Sequence, residues 1–145
     1  MGESIVEFDF MSSDKVNTHV VYDIQKGTVN FVNYTDSLID KAFGFREMAT
    51  VSDLQDFLEY RCFPSDRANR DEILKALGLE RIGYDPLSIV MRTHGIMHND
   101  DYWVRFKGEE NLTYDYVRAC LYNGEIVGIT VNKEEQHENG KNRSI

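Results

Sequence analysis

Proline and cysteine are scarce in this chain, with two of each among 145 residues and a single tryptophan. Cys62 and Cys120 lack Cys-x-x-Cys spacing. That argues against a thioredoxin-like redox motif or a cysteine-based zinc site and leaves a disulfide without support. The expectation is two reduced thiols in a cytoplasmic protein. No basic segment leading into an apolar stretch opens the chain. No apolar run approaches the ~20 residues of a membrane helix. The glycine-rich phosphate loops of nucleotide-binding folds and the nucleophile elbow of serine hydrolases are missing too. No cofactor is therefore expected.

Bases are also few: 16 Lys and Arg against 25 Asp and Glu, for a net charge of −9. The imbalance is distributed. Residues 1–49 carry eight acids and four bases, residues 50–95 eight and six, residues 96–131 six and three, and the rest three and three. With no acidic block, the charge belongs to a folded surface. Broad contact with nucleic acid is disfavoured, since phosphates would meet net negative charge. Such a surface keeps a protein soluble or meets a basic partner.

What is present is a single α+β domain, expected over residues 1–131 with a disordered polar tail over 132–145. Period-two alternation predicts strands over 4–11, 18–24 and 28–34, the last two as a hairpin turning at Lys26-Gly27. Residues 35–49 read as a short helix or an irregular crossover. A helix over 50–61 starts at a Thr50/Asp53 capping box and buries Val51, Leu54, Phe57 and Leu58. Pro64 stops it. A second helix is expected from Ser65 or Asp66 to Leu77, closed by Gly78, with Ala68, Ile73, Leu74 and Leu77 inward.

Asp85-Pro86 opens a third helix, with Tyr84 stapled onto Ile89 and Gly95 at its end. Tyr102–Phe106 is a strand. Thr113 caps a fourth helix with a stripe of Tyr116, Val117, Cys120 and Leu121, and Leu112 as its staple. Residues 124–131 read as a final strand. The expected architecture is an antiparallel sheet of four to five strands packed with three or four short helices.

His94 and His98 are four apart, but Gly95 between them breaks the shared helix face that a metal site would need. Arg61, Arg67 and Arg70 form the sharpest basic cluster. Their guanidinium forks suit a phosphate or carboxylate, and Glu59, Asp66, Asp71 and Glu72 are equally placed to absorb the charge as ion pairs. Three short helices in a row raise a helix-turn-helix reading. The apolar third helix, with few side chains able to read bases, argues against it.

The segments FLEYRCFPSDRANRDEILKALGL, YDPLSIVMRTHGIMHNDDYWVRF and LTYDYV, within residues 50–118, resemble a module of uncharacterised proteins from Firmicutes and their mobile elements. The module is similar to the segment preceding the kinase-like domain of some HipA-like proteins. The resemblance rests on Arg61, Pro64, Arg67, Asn69, Thr93, His94, Gly95, Asp100 or Asp101, Tyr102 and Trp103. The chain has no room for an ATP-binding lobe after these residues, so the resemblance implies an accessory module without kinase activity. In size and charge the chain is also similar to anti-CRISPR proteins.

The leading expectation is a non-enzymatic binding protein of phage or mobile-element origin. Its partner would be a protein, such as a host defence effector with a basic nucleic-acid-binding face. The residues expected to meet that partner are Asp100, Asp101, Tyr102, Glu109 and Glu110, with Arg67 and Arg70 holding the module together or meeting a carboxylate. The alternative is a regulatory or DNA-associated module using Arg61, Arg67, Arg70 and Arg92. Neither involves a membrane or a metal.

Overall fold

In the computed structural model, which describes residues 4–125, the chain is an α+β fold. Strands β1 (Ile5–Ser12), β2 (Lys15–Asp23) and β3 (Thr28–Asn33) follow one another. A crossover with a 3-10 turn at Leu38–Asp40 leads to helices α1 (Val51–Tyr60), α2 (Arg70–Ala76) and α3 (Pro86–Thr93). Strand β4 (Tyr102–Phe106) and helix α4 (Tyr114–Tyr122) complete it. The four strands form an antiparallel sheet in the order β3-β2-β1-β4. Of the expected strand over 124–131, Gly124 and Glu125 instead close α4, bonding the Leu121 and Cys120 carbonyls, and the rest, with the polar tail, lies outside the described residues.

Alternation places Phe8, Phe10, Val20, Val104 and Phe106 on one face, where they meet Leu54, Phe57 and Leu58 of α1 and Ile89 and Val90 of α3. The opposite face carries a smaller cluster of Met11, Trp103, Ile96 and Val117, which fixes α4. Helices α1, α3 and α4 start where their local chemistry dictates. Thr50 and Asp53 bond each other's backbone N–H groups in a full capping box. Asp85 accepts from the Ser88 N–H with Pro86 next in line, and Thr113 accepts from the Tyr116 N–H. Gly78 (φ 76°) closes α2, with Leu79 N–H bonded to Leu74 C=O and Gly78 N–H to Lys75 C=O.

Two expectations are corrected. First, α2 begins at Arg70, not at Ser65 or Asp66. Pro64 C=O accepts from the Arg67 N–H and Arg67 C=O from the Arg70 N–H, so two tight turns take up the intervening chain and leave Ala68 exposed. Second, the buried stripe of α4 is rotated to Tyr114, Val117 and Leu121, leaving Tyr116 53% exposed. Leu112 packs in the same cluster as Val117, as a staple would. Tyr84 packs against the cluster that holds Ile89 and also meets Phe63, edge-on at 5.4 Å and with its hydroxyl donating to the Phe63 carbonyl.

Candidate functional site

Arg61, His94, Gly95, Asp100 and Tyr102, five of the residues that carry the sequence resemblance, meet at the outer edge of β4. Its inner edge pairs with β1, and its outer edge would expose backbone groups ready to pair with another chain. Arg61, just past α1, lies across that edge with its side chain fully buried. Its guanidinium donates to the carbonyls of Gly95 and Tyr102 and to both carboxylate oxygens of Asp100, at 2.7–3.1 Å. Asp100 also accepts from the Tyr102 N–H.

Further along the same edge, the His94 carbonyl accepts from the Val104 N–H at 2.7 Å. The Glu109 carboxylate accepts from the Phe106 N–H and, at 3.0 Å, bonds the His94 ring. His94 reaches this position through a left-handed backbone (φ 58°) just past α3. Gly95 must follow it. With φ 65° and an added Cβ only 3.1 Å from the Arg61 Cβ, no other residue fits without displacement. The network therefore seals the edge and fixes α1, α3 and β4 to one another.

On the sheet's other face, His19 lies between two carboxylates, 2.6 Å from Asp9 and 2.7 Å from Glu7. Arg105 approaches Asp9 and Lys107 approaches Glu7. Burial alone would lower the His19 pKa, but the two carboxylate bonds outweigh it and the net shift is upward. The His19 bond, foremost, holds Glu7 below the ordinary carboxylate range. Two carboxylates on one ring make the doubly protonated imidazolium the form that satisfies both.

The crossover borders a cleft of about 360 Å³ against α1 and β4, with Phe10, Phe43, Phe57 and Tyr102 among its aromatic lining and Asp53 and Asp56 among its acids. The Tyr102 hydroxyl donates to Asp40 and pins the crossover there. That bond and burial push the Tyr102 pKa up to about 12. Ile39, at the cleft, and Phe45 and Met48 nearby in the crossover are each 83% exposed.

The sequence-predicted contact residues are not brought together as one surface. Glu109 is buried (1% exposed) as the acceptor for Phe106 and His94, so a partner cannot reach it. Asp100 is committed to Arg61, and Tyr102 to the crossover. Asp101 and Glu110 are exposed; Asp101 accepts from the Ser13 hydroxyl and Glu110 from the Gly108 N–H. Arg67 and Arg70 are exposed, whereas Arg61 is buried; Arg70 bonds the Ser65 carbonyl and lies 3.7 Å from Asp71. His94 is buried while His98 is exposed, so they do not form a pair.

Among the described residues no group of three or more His, Cys, Asp or Glu is arranged to hold a metal, and no helix is long and apolar enough to cross a membrane. The short helix or irregular crossover expected over residues 35–49 is present as a crossover with a 3-10 turn at Leu38–Asp40; the exposure of Ile39, Phe45 and Met48 on it has no signal in the sequence. No family model matches this chain, and no curated protein or solved structure matches it either.

Proposed function

We propose that this is a non-enzymatic, acidic binding protein that docks onto a basic surface of a protein partner through the crossover between β3 and α1. The observation that carries this reading is the exposure of Ile39, Phe45 and Met48, three large apolar side chains within ten residues. Surfaces of that kind mark sites of association. Residues 34–60 surround them with six acids against two bases. Apolar anchors ringed by carboxylates suit a partner that presents lysines and arginines around apolar pockets.

In its finer form, the proposal is an inhibitor of phage or mobile-element origin that covers the nucleic-acid-binding face of a host defence effector. The supporting logic is charge: an acidic surface carries the sign of the nucleic acid it would displace. The DNA-associated alternative has less support. It needs Arg61, Arg67, Arg70 and Arg92 as one patch. Arg61 is internal, and Arg92 donates to the Leu77 carbonyl.

The test compares the wild-type chain with the double variant F45D/M48D in capture of basic nucleic-acid-binding proteins from its native cell, followed by DNA displacement from each captured protein. The wild type is expected to displace DNA from its partner and the variant to lose both activities. Tight, salt-sensitive DNA binding by the chain itself would overturn the proposal. So would equal capture by the variant.

A further inference from the structure

A second cleft, of about 390 Å³, lies where the 61–67 turn, the end of α3 and the last turn of α4 meet. Its apolar lining includes Phe63, Ile89, Ile96, Met97 and Leu121, and its polar groups include Arg67, His98 and Asn99. Among the described residues no carboxylate lines it, in a chain with 25 acids. The Cys62 thiol beside it is pushed up to about 12, chiefly by burial, and so adds no negative charge at neutral pH.

Arg46, Arg61, Arg70 and Arg105 each lie within ion-pair distance of a carboxylate. Among the described residues Arg67, Arg81 and Arg118 have no ion-pair partner, and of these Arg67 lines the cleft. The Arg67 side chain also makes no hydrogen bond among these residues. A guanidinium left unpaired on a strongly acidic protein, beside an apolar hollow free of acids, has the makings of an anion site. A hollow of this size is at the small end of ligand pockets, which pair an apolar lining with a few polar groups.

We infer that this cleft binds a small organic anion, an apolar body bearing one carboxylate. The body would rest on Ile89, Ile96, Met97 and Leu121. The carboxylate would take the Arg67 fork, with His98 and Asn99 as further donors. Such a group occurs both in free organic acids and at the C-terminus of a peptide. The site is separate from the crossover and does not depend on it.

The experiment uses the full chain and two probes, 4-phenylbutyrate and N-acetyl-Leu-Phe with a free carboxylate, each compared with its neutral amide. Methyl NMR of Ile89, Ile96, Met97 and Leu121 reads occupancy. At least one acid is expected to shift these methyls and to bind about tenfold or more tighter than its amide, the size of one charge-assisted hydrogen bond. The tighter acid identifies the source. The R67Q variant is expected to lose that advantage with an unchanged Tm, since Arg67 has no partner to forfeit. The F45D/M48D variant is expected to bind as the wild type does. Three results would overturn the inference: no methyl shift at millimolar probe, equal binding of acid and amide, or an undiminished advantage of the acid in the R67Q variant.

Discussion

Arg61 and Asp100 meet through a forked ion pair, two N–H donors on two carboxylate oxygens at 2.9 and 3.1 Å, with the arginine side chain wholly buried. The same guanidinium also binds the carbonyls of Gly95 and Tyr102. Removing one partner of a buried pair leaves the other charge and two carbonyls without compensation. Arg61→Leu is therefore expected to cost about 3–5 kcal/mol. Arg61→Lys should recover only part of this, because a single ammonium cannot span four acceptors on a fixed fork. Urea unfolding measures both. A lysine variant with the wild-type midpoint would contradict the assignment.

Glu109 accepts from the Phe106 N–H and bonds the His94 ring in the same closed space. Glu109→Ala strands two buried polar groups at about 1–3 kcal/mol each. Glu109→Gln keeps an acceptor for Phe106 and should lose clearly less. Amide exchange at Phe106 gives an independent measure, with faster exchange expected in the alanine variant and near-native exchange in the glutamine variant.

These two networks explain which parts of the molecule were legible in the sequence. Caps were legible because they are local: Thr50 with Asp53, Asp85 with Ser88, Thr113 with Tyr116. Strands were legible by alternation, and the α+β class follows from both. The edge seal was not, since Arg61 and Asp100 are 39 positions apart. Within Lys107-Gly108-Glu109-Glu110 nothing local separates the buried acid from its exposed neighbour. The two turns that delay α2 until Arg70 are equally invisible to helix propensity, which reads Ser65 onward as good helix. Exposure of Ile39, Phe45 and Met48 went unread because sequence alone gives an apolar residue no direction.

His19 is expected to make stability pH-dependent. Burial opposes its protonation, but the bonds to Asp9 and Glu7 prevail, so its folded pKa stands above the ordinary histidine value of 6.5. A pKa raised by folding contributes stability that is complete below the unfolded value and is lost as pH rises through the folded value. Unfolding midpoints should therefore fall as pH climbs from 6.5 through the folded pKa, by a modest amount because the ring is about a third exposed. His19→Gln should flatten that slope. Titration of the His19 ring by NMR gives the midpoint directly, and a value below 6.5 would refute the reading.

Tyr102 links the sheet edge to the crossover, since its hydroxyl donates to Asp40 while its ring lies 5.1 Å from Phe10. Tyr102→Phe keeps the ring and removes the tether. The expected loss is about 1 kcal/mol, the net worth of one hydrogen bond. The effect should be local. Amide exchange should accelerate around Asp40 and Lys41 while the α1 core stays protected. Alkaline pH should mimic the substitution. The Asp40 bond, then burial, raises the phenol to about 12 from 10, so its contribution is complete below pH 10 and disappears as pH rises through 12. If the crossover is the docking surface, loosening it raises the entropy lost on association. Tyr102→Phe should then weaken partner binding without touching the contact residues themselves, whereas unchanged affinity with accelerated exchange at Asp40 would separate the tether from recognition.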